Sequence, residues 1–251
     1  MSASELASDL AGALRQGAGF GHQELLERRR RRSQPFEFTA IESQATAIEG
    51  WLPPAEAEAL FTLARSARSG TAIVEIGSYL GKSTVFLAAG ARLSGAHVYA
   101  VDPHTGDRSF VERLGLSGID TAPAFRANLS HAGVSDQVTP MVTTSAEAAR
   151  AWEQGRCISL LFVDGWHSTE AVIEDARSWA PHLADDAVVV FDDRGDPEVA
   201  AGIGWLVEGG HLPAHAGDTG KMSVFAPPSL FQRVPRLRRI VRSRRWRTPD
   251  A

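Results

Sequence analysis

Cysteine is all but absent: Cys157 stands alone in 251 residues. A disulfide within the chain is therefore excluded, and a reducing cytoplasm is the expected location. Cys157 opens an apolar run and reads as a small core residue. No stretch approaches the ~20 apolar residues a membrane-spanning helix needs. The start, Met1-Ser2-Ala3-Ser4-Glu5, lacks a basic segment followed by an apolar one, so no signal peptide is expected. Lysine is scarce as well. Lys82 and Lys221 are the only two, and arginine supplies the rest of the positive charge. Net positive charge is also lacking, since the formal net charge is -4. From Leu230 onward eight Arg and one Asp give +7, which leaves -11 on the remainder. An acidic main body argues against a nucleic-acid partner.

What is present is ordinary for a globular protein: 43% hydrophobic and 22% charged residues. The length suits one α/β domain with additions. Residues 1–50 read as a helical or flexible N-terminal extension, with helices over Ser4–Arg15 and Gln23–Arg32 ending in the run Arg28-Arg29-Arg30-Arg31-Arg32. That run reads as a solvated face or tail. Residues 51–228 alternate between strand and helix. Pro53-Pro54 opens a helix to Ser69. Strands follow at Ala72–Ile76, His97–Val101, Val138–Val142, Ile158–Val163 and Ala187–Phe191. Helices are expected at Lys82–Leu93, Thr121–His131, Ser145–Glu153, Ser168–Pro181 and Pro197–Glu208. His215–Gly217 and Met222–Ala226 form a closing hairpin. The insert Gly106–Asp120 follows the second strand and reads as a lid. This alternation predicts a Rossmann-like, doubly wound, mostly parallel sheet. Residues 229–251 form an Arg-rich tail. Disorder, or docking on the acidic body or on a second subunit, is the favoured reading of it. Peripheral contact with an anionic membrane is the runner-up.

Two apolar runs end in acid. Leu160-Leu161-Phe162-Val163 leads to Asp164, and Val188-Val189-Val190-Phe191 leads to Asp192-Asp193. Such runs read as buried parallel strands. A strand–helix–strand unit with a right-handed crossover sets their carboxyl ends on one edge, and ligands of open α/β sheets bind at that edge. Three crowded carboxylates repel, and a hard dication held by oxygens is the simplest remedy.

A glycine turn, Val74-Glu75-Ile76-Gly77-Ser78-Tyr79-Leu80-Gly81-Lys82-Ser83, joins the first strand to its helix. Its spacing is neither that of a dinucleotide fold nor that of a P-loop, since only three residues separate Gly77 from Gly81. Asp102 ends the second strand, where a carboxylate accepts hydrogen bonds from a ribose diol.

In these segments the chain resembles the class I S-adenosylmethionine-dependent methyltransferases. More narrowly, it resembles their metal-dependent O-methyltransferases, the catechol type and bacterial relatives that methylate sugars and antibiotics. The glycine turn, Val101-Asp102, Phe162-Val163-Asp164-Gly165-Trp166-His167 and Phe191-Asp192-Asp193 carry the resemblance, which spans Trp51 to Pro227. It implies a seven-stranded sheet. S-adenosylmethionine would be held by Glu75, Gly77, Tyr79, Gly81, Ser83, Asp102, Thr144, Ser145, Asp164 and Trp166. It implies Mg²⁺ on Asp164, Asp192 and Asp193. His167 stands where catechol-type enzymes carry a lysine base, and neutral imidazole is suited to that work. Asp164 and His167 are thus the expected catalytic residues, with His104 and Asp196 as further residues on the same edge. The expected reaction is methyl transfer to a hydroxyl of a sugar, glycan or glycosylated natural product. A phenolic or catechol-like acceptor is the same-class alternative. A non-catalytic cofactor-binding module tethered by its basic ends is the alternative of another class. A homo-oligomer is also compatible with the sequence.

Overall fold

The computed structural model describes residues 38–106, 119–235 and 237–241. The helices expected before residue 38, the Arg28–Arg32 run, residues 107–118 of the expected lid and the tail beyond residue 241 lie outside the described residues.

Seven strands form one sheet: β1 (Ala72–Ile76), β2 (His97–Val101), β3 (Val138–Met141), β4 (Ile158–Val163), β5 (Leu183–Phe191), β6 (His215–Thr219) and β7 (Met222–Phe225). Their order is β3-β2-β1-β4-β5-β7-β6. The first five are parallel, and β7 runs antiparallel to β5 and to β6. This is the seven-stranded class I methyltransferase architecture anticipated from the sequence. β1 and β4 are buried along their whole length. Both faces of these central strands are covered by helices, which is why they are nearly uninterrupted apolar runs.

The helices are α1 (Phe38–Ala45), α2 (Pro54–Arg65), α3 (Lys82–Ser94), α4 (Ala122–His131), α5 (Ser145–Arg150), α6 (Thr169–Trp179), α7 (Pro197–Glu208), α8 (Leu230–Arg233) and α9 (Leu237–Ile240). α1 comes from the segment assigned to the N-terminal extension, yet it packs on the main body. The Phe38 ring stacks 5.6 Å from Phe86 and meets Phe61 edge-on at 5.8 Å. Ile41 beside it is fully buried. From the tail, Leu230 and Val241 are buried as well.

The structure departs from the sequence expectation at several element ends. Cys157 is exposed rather than in the core, because β4 begins one residue later at Ile158. β5 starts at Leu183 rather than Ala187. Its first residues, including Asp185 and Asp186, lie outside the buried stretch and so carry no apolar signature. Among the described residues, no helix is long and apolar enough to cross a membrane.

Register places the acids. Val163 pairs with Phe191 across β4 and β5, so Asp164 and Asp192 leave the sheet side by side. Phe191 pairs with Ser223 across β5 and β7. The chain before Ser223 therefore runs back past Asp192 and Asp193, and Lys221 lies there.

Candidate active site

The glycine turn is a tightly specified backbone cradle. Gly77 has φ +83°, and a Cβ at this position would lie 2.0 Å from the Asp164 carbonyl oxygen. Only glycine combines that dihedral with that approach. Tyr79 also has positive φ, at +45°. Strain of this kind persists where surroundings over-determine the backbone. Here Asp102 does so. Its Oδ2 accepts the N–H groups of Ser78 and Tyr79 at 2.9 and 2.8 Å, and its Oδ1 accepts the His104 N–H at 2.7 Å. A carboxylate offers about four acceptor positions, so roughly one remains for a ligand hydroxyl. Asp102 is thus a clamp on the turn as well as the residue placed to meet a ribose.

Behind the turn Glu75 is fully buried. It accepts hydroxyl hydrogen bonds from Ser83 and Thr84, each at 2.5 Å. Burial pushes its carboxyl up to about 7, against the pull of those two bonds. Ser83, expected at the cofactor, therefore spends its hydroxyl on Glu75. Thr144 caps α5, its side chain receiving the Glu147 N–H in a capping box. Ser145 accepts the Trp179 indole N–H at 3.0 Å. Both adenine-side residues thus have structural partners of their own. Asp196 likewise caps α7 through the N–H groups of Glu198 and Val199. His104 is buried against Phe125, its Nδ1 2.8 Å from the Thr121 hydroxyl and its Nε2 without a partner. Burial lowers its pKa, which keeps the ring neutral.

At the ends of β4 and β5 the acids divide into two groups. One donor atom each from Asp164, His167 and Asp193 lies within 4.8 Å of the others. His167 Nε2 is 3.2 Å from Asp193 Oδ2. Asp192 is paired with a lysine that also reaches Asp193. Its Oδ2 takes a hydrogen bond from the Lys221 ammonium, while its Oδ1 is buried without a side-chain partner. Lys221 Nζ also lies 3.0 Å from Asp193 Oδ1. Sequence reasoning placed all three aspartates around one ion. The structure brings Asp164 and Asp193 together with His167, and ties Asp192 to Lys221.

The charges explain one another. Burial and then the Asp192 charge raise the Asp164 carboxyl well above the usual range, with Lys221 opposing. Burial raises Asp192 too, against the Lys221 hydrogen bond. Burial works against the Lys221 ammonium, but Asp192, Asp193 and Asp164 outweigh it and its pKa rises. A further acid joins from α2. Glu56 is almost fully buried and accepts the Lys221 N–H at 2.7 Å. Its carboxyl is pushed up to about 7 by burial, with Asp192 and Asp193 adding to the push. A Cβ on Gly220 would stand 2.3 Å from Glu56 Oε1, so the Gly220-Lys221 turn closes directly onto that carboxylate. One ammonium does not neutralise four neighbouring carboxyls, and burial followed by like charge raises Asp164, Asp192 and Glu56. The residues therefore suit a dication, with Asp164 and Asp193 as oxygen donors and His167 beside them.

Glu56, Lys221 and Thr84 were not singled out from the sequence. The scarcity of lysine was the one visible signal for Lys221. Glu56 lies 165 residues away from its partner, and no local pattern reports a pairing at that distance. Trp51 was missed as well. It is 78% exposed and stacks on Tyr79 with ring centroids 6.5 Å apart. Trp166 is also exposed, beside the acidic edge.

Residues 74–194 match a family model described as a methyltransferase domain. Three solved structures share the fold. A cofactor-bound Rv0187 from MTB is 21% identical, with a TM-score of 0.53 over 74% of this chain and 85% of that one. The O-methyltransferase NovP is 12% identical, with a TM-score of 0.57 over 69% and 80%. TomG from Streptomyces achromogenes, an O-methyltransferase involved in tomaymycin synthesis, was solved with SAM. It is 19% identical, with a TM-score of 0.53 over 75% and 89%. The matched segment, residues 74–194, contains the glycine turn and both acidic strand ends, so the similarity to a methyltransferase domain and the shared fold agree with the resemblance read from the sequence.

Proposed function

We propose that this protein is an S-adenosylmethionine-dependent O-methyltransferase that acts, with a bound dication, on a hydroxyl of a sugar, glycan or glycosylated natural product. One observation carries the reading. The turn expected to seat the cofactor and the cluster expected to activate a hydroxyl are in backbone contact, through Gly77 and the Asp164 carbonyl. Donor and acceptor are thereby confined to one small region of the sheet edge.

The cofactor supplies a methyl group already activated by its positive sulfur. Positioning and deprotonation of the acceptor remain for the protein. A sugar hydroxyl has a pKa far above neutral, so a base alone is weak there. A dication, Mg²⁺ by the sequence expectation, would be held by Asp164 and Asp193 and would acidify the hydroxyl. His167 then takes the proton. Its Nε2 lies 3.2 Å from Asp193 Oδ2, so that carboxylate would stabilise the imidazolium that forms. The charged surroundings favour a polar acceptor.

The phenolic alternative keeps a specific observation in its favour. Trp51, Tyr79 and Trp166 present aromatic surface at the cofactor turn and the acidic edge. An acceptor screen with methyl-labelled cofactor separates the two. Label should move to glycosides and nucleotide sugars, and transfer only to catechols would select the alternative. Cofactor binding with no transfer to any hydroxyl compound would overturn the enzymatic reading.

A further inference from the structure

We infer that Lys221 is a resident counter-cation of the carboxylate cluster, and that a dication entering the site must compete with its ammonium for Asp193, the one acid both would hold. The inference rests on the dication reading of the site and adds to it the group that opposes the ion.

The geometry is a pincer. The Lys221 ammonium donates to Asp192 Oδ2 and lies 3.0 Å from Asp193 Oδ1, so one lysine spans both acids at the end of β5. The backbone beneath it is fixed from two sides. Its N–H donates to Glu56 Oε1 at 2.7 Å, and its carbonyl accepts the Arg194 N–H at 2.9 Å. The side chain is only partly covered, 29% exposed, so its stem can swing outward without disturbing that anchor. Residue choice agrees. The chain uses arginine for nearly all its positive charge, yet this position has one of its two lysines. Arginine would lock both carboxylates in a planar fork, whereas an ammonium on a flexible four-carbon stem is a point charge that can leave.

Two effects of Lys221 on an incoming ion oppose each other. By holding Asp193 in place it preorganises a donor, and outer partners of this kind typically improve affinity about 10–100-fold. By placing a positive charge on the far oxygen of a donor carboxylate it repels the ion at close range in a half-buried site. Like charges a few ångströms apart in such surroundings interact strongly. Repulsion therefore outweighs preorganisation, and the lysine sets a ceiling on dication affinity. It also keeps the metal-free cluster folded, because Asp164, Asp192, Asp193 and Glu56 would otherwise face one another uncompensated.

Mn²⁺ binding to the full-length protein, followed by the loss of the free-ion electron paramagnetic resonance signal without cofactor or acceptor, tests this directly. Lys221→Met should bind Mn²⁺ at least about tenfold more tightly than wild type. Without metal it should melt at a lower temperature, and Mn²⁺ should restore the loss. Lys221→Gln should behave the same way, which guards against a folding defect peculiar to methionine. Equal or weaker Mn²⁺ binding by both variants would overturn the inference and leave the dication reading standing. Mn²⁺ binding to neither wild type nor variant would overturn both.

Discussion

Gly77 sits where no side chain fits, and its replacement separates scaffold from cofactor seat. Alanine there adds left-handed strain, on the order of 1–3 kcal/mol. It also drives a methyl group into the Asp164 carbonyl. Gly77→Ala should lower the melting temperature and weaken S-adenosylmethionine binding at least about tenfold by calorimetry. Unchanged affinity would move the cofactor off this turn. His167 poses the other single-residue question, since it can be a base or a metal ligand. As the base, His167→Ala should lower kcat by about 10²–10⁴ and alter KM far less, with partial recovery at high pH. An unaltered pH profile would leave it a scaffold, and loss of Mn²⁺ binding in the same variant would make it a ligand. The residue types at this site were legible in the sequence because each aspartate closes an apolar run. Their partners were not. Which oxygen faces Lys221 and which faces His167 depends on the register of β7 against β5.

At the scale of single elements, strands were the easiest to locate. β1, β2 and β4 coincide with the runs marked from the sequence, since strands buried on both faces leave an unbroken apolar signature. Element ends were harder. α6 stops at Trp179, and Pro181 falls in the short 3₁₀ turn Ala180–His182 rather than in the helix. Thr144 and Ser145 were assigned to the cofactor from their place after β3, yet the cap of α5 and the Trp179 indole engage them. The junction of β1 with α3 makes a testable element. Glu75 is raised from 4.5 to about 7 by burial. Between those values the folded protein holds the proton more tightly than the unfolded chain. Its stabilising contribution is therefore complete below about 4.5 and is lost as pH rises through 7. Glu56, raised to about 7, and Asp175, raised to about 6, act in the same direction. Denaturant unfolding should show lower stability at pH 8 than at pH 5. Glu75→Gln should reduce that difference by on the order of 1–3 kcal/mol. A slope unaffected by Glu75→Gln would mean that this carboxyl does not hold its proton in the folded state.

Across the whole molecule, strand order and crossover handedness follow from general rules, which is why the doubly wound sheet could be anticipated from alternation alone. The boundary of the main body could not. α1 is short and lies in a polar stretch, and only the tertiary contacts of Phe38 and Ile41 show that it belongs to the packed domain. Likewise Lys221 enters the acidic edge from the last hairpin and Glu56 from a helix ahead of the first strand. Three distant parts of the chain thus meet at one place. That convergence makes the edge a site rather than a row of solvated acids. Its negative excess calls for a dication, and chelation probes this most directly. With an acceptor that wild type methylates, label transfer from S-adenosylmethionine should fall to background in EDTA and return when Mg²⁺ or Mn²⁺ is restored in excess. Undiminished transfer in chelator would contradict it, and would leave Lys221 as the countercharge of the cluster.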